Sequence, residues 1–267
     1  MASRNRTRQE DPRLNSHSAS RTGRFPAQVP RWAILAMLAV LALIWIAPRA
    51  YQRFELAAWG YDVKGIDVSH YQGEIDWHAL RADGVSFAYI KATESARFRD
   101  PRFEENWRRS REAGIPRGAY HFFSLCKPGA EQAANFIAAI PAGDQDLPDA
   151  LDAEQMEACA QGQAVADPLA EVLAFLDAVQ KRFGRRPLIY TTREFHDARF
   201  LKQGRLDERL HAERFWLRSL HRPPGFHGTP WTLWQYHNRG HREGIDGPVD
   251  LSAFNGPARE FAKFAAP

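Results

Sequence analysis

Four carboxylates at the ends of apolar, strand-like runs carry the chemistry open to this sequence: Asp67, Asp152, Glu154 and Asp250. They stand in Gly65-Ile66-Asp67-Val68-Ser69, Leu151-Asp152-Ala153-Glu154 and Pro248-Val249-Asp250-Leu251. An isolated carboxylate on a segment that favours burial is costly to keep charged, so its pKa shifts. Several such groups converging on one spot prepare acid and base chemistry. Successive side chains of a strand alternate sides, so Asp152 and Glu154 point the same way. Two acids on one face repel, which raises one pKa and suits a general acid near neutral pH. Cleavage of a glycosidic bond needs such an acid for the leaving oxygen and a second group for oxocarbenium-like charge. In an arbitrary sequence Asp-x-Glu reads as two solvated loop acids; the other strand-end acids argue against that here.

To converge, these acids need a scaffold that brings distant strand ends together. From residue 63 onward, short apolar runs alternate with helical patterns. The expected strands are Gly65–Val68, Phe87–Ala92, Gly118–Phe123, Ala150–Ala153, Leu188–Thr192, Phe215–Leu220, Trp231–Tyr236 and Ile245–Leu251. Amphipathic stretches at Pro101–Ala113, Ala130–Ile140 and Pro168–Phe183 lie between them. Pro101, Pro128 and Pro168 mark helix starts, and Gly114 and Gly184 follow helix ends. Eight strands with interleaved helices predict an α/β fold, an irregular (β/α) barrel of the TIM-barrel kind, with weak or missing helices among its last three strands. Functional groups of such barrels collect at the carboxyl ends of the strands. Asp67, Glu94, His121, Asp152, Glu154, Thr192, Gln235 and Asp250 all fall at or near such an end. Aromatic side chains accompany them: Tyr71, Tyr120, Phe122, Tyr190, Trp216, Trp234 and Tyr236. Aromatic faces pack on sugars while their polar tips bond to sugar oxygens. Tyr120, Tyr190, Trp234, Gln235, Tyr236 and Glu94 form the expected substrate-binding set.

The formal net charge of +4 is concentrated at the N-terminus. Residues 1–31 hold seven arginines and two acids, so the remaining chain is near neutral and a nucleic-acid-binding domain is not indicated. That basic, Ser-rich segment is expected to be a disordered cytoplasmic tail. Trp32 to Ala47 is a run of sixteen apolar residues between Arg31 and Pro48-Arg49. A transmembrane helix takes about 17 to 25 residues, so the run is marginal in length. Trp32 and Trp45 suit the two interfaces, and the arginines favour a cytoplasmic N-terminus. Residues 32–48 are therefore expected to be a single-pass inner-membrane anchor, with a cleaved signal as the rival. A linker over 49–62 then leads to a barrel over 63–267 in the periplasm or cell exterior. Cys126 and Cys159 are the only cysteines, and an oxidising compartment permits a disulfide between them; two buried thiols are the alternative. Such a bridge would close a loop of about 34 residues, worth roughly 3 to 4 kcal/mol.

At these residues the chain resembles a known family. Gly65-Ile66-Asp67-Val68-Ser69-His70-Tyr71-Gln72-Gly73, Tyr89-Ile90-Lys91-Ala92-Thr93-Glu94, Gly118-Ala119-Tyr120-His121-Phe122, Leu151-Asp152-Ala153-Glu154, Leu188-Ile189-Tyr190 and Leu233-Trp234-Gln235-Tyr236 occur in order. Together they resemble family 25 of the glycoside hydrolases, the N-acetylmuramidase-type lysozymes, over residues 63–255. The resemblance implies hydrolysis of the β-1,4 bond between N-acetylmuramic acid and N-acetylglucosamine in peptidoglycan, without metal or other cofactor. It implies Glu154 as general acid/base and Asp152 as the group that orients the substrate acetamido or stabilises positive charge. Asp67 and Asp250 complete the acidic site. Both acetamido participation and a carboxylate nucleophile are compatible with these letters. One departure is Ser95, where the Lys-Ala-Thr-Glu block is usually followed by Gly.

Three rival readings compete with this one. The family 18 pattern Asp-x-x-Asp-x-Asp-x-Glu fails because Leu147 and Ala150 stand where Asp is required. A metal-dependent deacetylase needs an Asp and two His; His237 and His241 have the spacing, but Asn238-Arg239-Gly240 reads as a turn. A catalytically silent wall-binding protein on the same fold is the third, and the presence of all four acids argues against it.

Overall fold

The computed structural model describes residues 30–53, 56–141, 143–154, 159, 164–220 and 222–266. The basic segment thus lies outside the described residues up to residue 29. Eight strands form the barrel: β1 (Lys64–Val68), β2 (Phe87–Glu94), β3 (Arg117–Phe122), β4 (Ala150–Ala153), β5 (Leu188–Thr192), β6 (Phe215–Arg218), β7 (Leu233–Gly240) and β8 (Val249–Phe254). The first seven run parallel in sequence order, and β8 closes the ring between β7 and β1. It pairs antiparallel with both.

The expected eighth strand, Ile245–Leu251, is therefore corrected in place and direction. Gly244 and Gly247 take left-handed φ values of 99° and 109°, so the Asp246-Gly247-Pro248 stretch turns the chain before pairing begins. Ile245 makes only an isolated bridge to Ile75. Reversal puts Asp250 near the start of its strand, at the same mouth as the carboxyl ends of the other seven. Its Cα stands opposite that of Asp67 in the β1–β8 register.

After the N-terminal helix α1 (Arg31–Arg53), helices α2 (Trp77–Ala82), α3 (Phe103–Glu112), α4 (Gly129–Ala139) and α5 (Pro168–Phe183) fill the first gaps between strands. Helix α5 shows how sequence sets its bounds. The Asp167 side chain accepts the Ala170 N–H, Pro168 opens the helix, and Gly184 closes it at φ +78°. Leu169, Val172, Leu176 and Val179 recur at helical spacing and are buried. Among the described residues no helix of this kind lies between β6 and β7 or between β7 and β8. Close packing also explains Gly65 in the first motif: a Cβ there would meet the Phe87 ring at 2.5 Å.

Ser95 adopts φ +49°, a left-handed conformation that glycine holds without strain. Its amide N–H donates to the Phe122 carbonyl, and Asn135 Nδ2 donates to the Ser95 and Phe98 carbonyls. The turn survives the loss of glycine through these neighbours.

The N-terminal helix, Arg31–Arg53, extends into the expected 49–62 linker, and that linker is also partly packed. Ala58 is fully buried and Tyr61 stands edge-on to Trp234 at 5.6 Å. From Trp32 to Ile46 the described large apolar side chains of the helix are exposed. Among the described residues no helix is long and apolar enough to cross a membrane.

At the opposite end of the barrel from Asp67, Asp149 is buried, held by the Ala119 amide and Gln145 Nε2. Burial pushes its carboxyl up from 3.8 to about 7. A raised folded-state pKa stabilises the fold below the unfolded value, and this contribution is lost as pH rises through the folded one. At about 1.4 kcal/mol per unit, wild-type stability should fall by a few kcal/mol between pH 4 and pH 7. In Asp149→Asn the slope should flatten and stability at pH 8 should rise. Urea unfolding at pH 4.5 and pH 8 measures this; parallel losses in both proteins would refute it.

Candidate functional site

Strand ends of the barrel bring Asp67 (β1), Asp152 (β4), Glu154 just past β4, and Asp250 (β8) to one cleft of about 460 Å³. Parity explains the choice of side chains. Asp152 lies between the buried Leu151 and Ala153, which face the surrounding helices, so its carboxylate points into the barrel. Glu154, two residues on, follows it to the same side.

The floor is held by a hydrogen-bonded chain. The Tyr190 hydroxyl donates to Gln235 Oε1 at 2.9 Å. Gln235 Nε2 in turn donates to Asp67 Oδ2 at 3.0 Å and Asp250 Oδ2 at 3.4 Å. Trp216 Nε1 donates to Ser252 Oγ at 3.0 Å beneath them. Burial, then the neighbouring Asp250, raises the Asp67 carboxyl well above the usual range. Contact between the two carboxyls pushes Asp67 further up and pulls Asp250 down, which favours the proton on Asp67.

Burial, then Glu154 and Asp67, raises Asp152 well above its usual value. Among the described residues no group hydrogen-bonds its buried Oδ1. A buried carboxylate oxygen without a partner is costly, so a donor entering the cleft at this point would be favoured. Glu154 is also raised, by burial and by Asp250 against the opposing pull of Arg218. Arg218 Nη1 lies 3.3 Å from Glu154 Oε2. The second cation of the cleft, Lys91, is 2.7 Å from Glu94 and 4.8 Å from the Phe122 ring centroid.

The structure gathers all four expected acids with Tyr120, Tyr190, Gln235 and Glu94. It does not bring in Trp234 or Tyr236. Both are fully buried on the outer face of β7, where Trp234 Nε1 donates to the Ser219 carbonyl at 2.7 Å and the two rings pack at 5.7 Å. Gln235 owns the inward parity, so its neighbours must face the helices. His121 and Thr192 are likewise structural. His121 bonds Thr93 Oγ1 at 2.7 Å and stacks on Phe175, and burial pushes its pKa down to about 3. Thr192 caps the Phe195 amide.

The cleft also takes in residues outside the expected set, among them Arg218, Lys91 and Asn238, together with the accompanying aromatics Tyr71, Phe122 and Trp216. Arg218 and Lys91 carry the same signal as the acids, a charge inside or ending an apolar run. Asn238 reaches the cleft because β7 bulges between Gln235 and Gly240. The expected turn at Asn238-Arg239-Gly240 is thus corrected to bulged strand. Among the described residues no cluster of three His, Cys, Asp or Glu side chains could hold a metal.

Cys126 and Cys159 are joined by a disulfide with their Cα atoms 5.6 Å apart. The bond links the segment after β3 to the segment after Glu154.

Residues 66–245 match the family model for glycosyl hydrolases family 25. The protein YegX of Escherichia coli O6:H1 is 37% identical over 211 residues, which cover 76% of this chain and 74% of that protein. Lysozyme M1 of Streptomyces globisporus is 34% identical over 212 residues, covering 76% and 71%. Among solved structures, a bacterial lysozyme from Streptomyces coelicolor has a TM-score of 0.69 at 32% identity, covering 77% of this chain and 98% of that one.

Proposed function

Because the chain belongs to family 25 of the glycosyl hydrolases, we propose that it is a muramidase acting on peptidoglycan. It cleaves the β-1,4 bond between N-acetylmuramic acid and N-acetylglucosamine. The observation that carries this reading is the convergence of four acids with separated environments on one cleft. Glu154, raised yet within reach of the cleft, protonates the glycosidic oxygen and later takes a proton from the attacking water. Asp152 Oδ1 receives the acetamido N–H of the substrate, the donor its buried position lacks. That contact orients the acetamido group and steadies charge at the anomeric carbon. Asp67 and Asp250, sharing one proton, keep the floor fixed through Gln235. The scheme asks nothing of a metal or other cofactor.

Mass spectrometry of the fragments released from purified peptidoglycan tests this. Reducing-end N-acetylmuramic acid is the expected product. Reducing-end N-acetylglucosamine would move the cleaved bond, and binding to the wall without fragments would favour a silent glycan-binding protein.

We further infer that the N-terminal helix holds the enzyme at the inner membrane, with the barrel on its outer side. The exposed apolar side chains from Trp32 to Ile46 support this, and the arginines before them favour the cytoplasmic side. Sixteen residues at 1.5 Å each span about 24 Å, short of the ~30 Å hydrocarbon core, so the helix would thin the bilayer locally. Retention in the membrane pellet after alkaline carbonate extraction is expected. Release into the wash would refute the anchor.

A further inference from the structure

Arg218 sits in the cleft in a position that opposes the task of its neighbour. Glu154 must carry a proton to donate, yet a guanidinium 3.3 Å from its Oε2 favours the bare carboxylate. The groups facing Glu154 are Arg218 from β6, Asp250 from β8, Lys91 from β2, Asp67 from β1, Tyr190 from β5, and Asp152 on its own strand. Of these only Arg218 and Lys91 are cations. Lys91 is buried and committed to Glu94 at 2.7 Å, between the Phe122 and Phe98 rings. Arg218 is a third exposed, its contact with Glu154 is longer than the 2.7–2.9 Å usual for charge-assisted bonds, and its other neighbours are the Tyr190 hydroxyl and Asp250. It is the cation of the cleft lining that can change partners.

An anion on the substrate is the partner that would draw it away. A polymer of N-acetylglucosamine offers none. The muramyl residue carries a lactyl ether whose carboxylate is either free or amide-linked to a stem peptide that bears carboxylates of its own. We propose that Arg218 is a positioning residue that binds a carboxylate on the muramyl side of the substrate and, in turning to it, releases Glu154 to hold the proton it donates. This rests on the muramidase reading. It couples recognition to acid catalysis, so the charged substrate itself completes the catalyst.

The test uses the full chain, Arg218→Gln and Arg218→Lys on three substrates. These are peptide-stripped glycan strands with free lactyl carboxylates, the same strands with those carboxylates amidated, and intact peptidoglycan. Wild type should favour a carboxylate-bearing substrate over the amidated strands by about tenfold or more in kcat/KM. Arg218→Gln should lose that preference, and Arg218→Lys, which keeps the charge, should retain part of it. The pH profiles carry the decisive readout. Free wild-type enzyme has Arg218 on Glu154, so the alkaline limb of kcat/KM should lie below that of kcat when the substrate carries the carboxylate. In Arg218→Gln both limbs should coincide, with the kcat/KM limb moved to higher pH.

A preference for stripped strands assigns the lactyl carboxylate, and requires an amidase-type reaction to remove stem peptides first. A preference for intact peptidoglycan assigns the stem carboxylates. Equal rates on all three substrates in wild type, or an equal loss on all three in Arg218→Gln with unmoved limbs, would overturn the proposal and leave Arg218 structural. No cleavage of any muramyl glycan by wild type would instead remove the muramidase reading itself.

Discussion

Glu154→Gln should lower turnover on peptidoglycan by about a thousandfold while leaving the fold and glycan binding intact. General acid–base catalysis by a positioned group typically contributes about 10²–10⁴-fold, and here one residue serves both proton transfers. Glutamine has nearly the same shape and cannot deliver a proton. Its amide oxygen can still accept from Arg218, so the local structure has no reason to collapse. Stability should not fall either, because burial and Asp250 already disfavour charge on this carboxyl. Initial rates of reducing-end release, beside thermal unfolding of both proteins, measure the two effects. Turnover within threefold of wild type would take Glu154 out of the chemistry.

Breaking the Cys126–Cys159 bond should have the largest effect on stability. The bond joins residues separated by 33 positions, and the chain-entropy treatment values such a closure at about 3 to 4 kcal/mol. For a domain of this size that corresponds to a fall of about 10 °C in Tm. Activity should drop at temperatures well below the new midpoint. Glu154 heads the connection that Cys159 anchors, and catalytic geometry tolerates little slack. The double replacement Cys126→Ser with Cys159→Ser, or reductant added to wild type, should give matching shifts. A change of under about 1 °C would show the loop to be held without the bridge.

Much of this arrangement could be read from residues alone, because each legible feature had a local cause. Asp67, Asp152 and Glu154 stood out as charges in runs that otherwise favour burial. The bounds of α5 followed from Asp167, Pro168 and Gly184. Strand direction had no such cause. Period-two alternation is the same whichever way a strand runs, so the reversal of β8 was invisible even though Asp250 reached the expected mouth. The face of an aromatic was also hidden, since barrel strands bury both sides, one in the lumen and one under helices. Gln235 could have settled this for Trp234 and Tyr236, as adjacent residues cannot share a face. Arg218 carries the same local signal as the acids, a charge closing an apolar strand, but a cation there does not by itself point to acid chemistry.

The reversed final strand also sets when activity can begin. Seven parallel strands can form in chain order, each beside the one before, but the ring stays open until β8 slots between β7 and β1. Contacts between the first and last strands are the most distant in the chain, and pairings of that kind form slowly. Asp250 is delivered by this last step, and with it the carboxyl that stands opposite Asp67. The acidic cleft is therefore complete only once β8 has closed the ring, so the topology itself orders the assembly of the site.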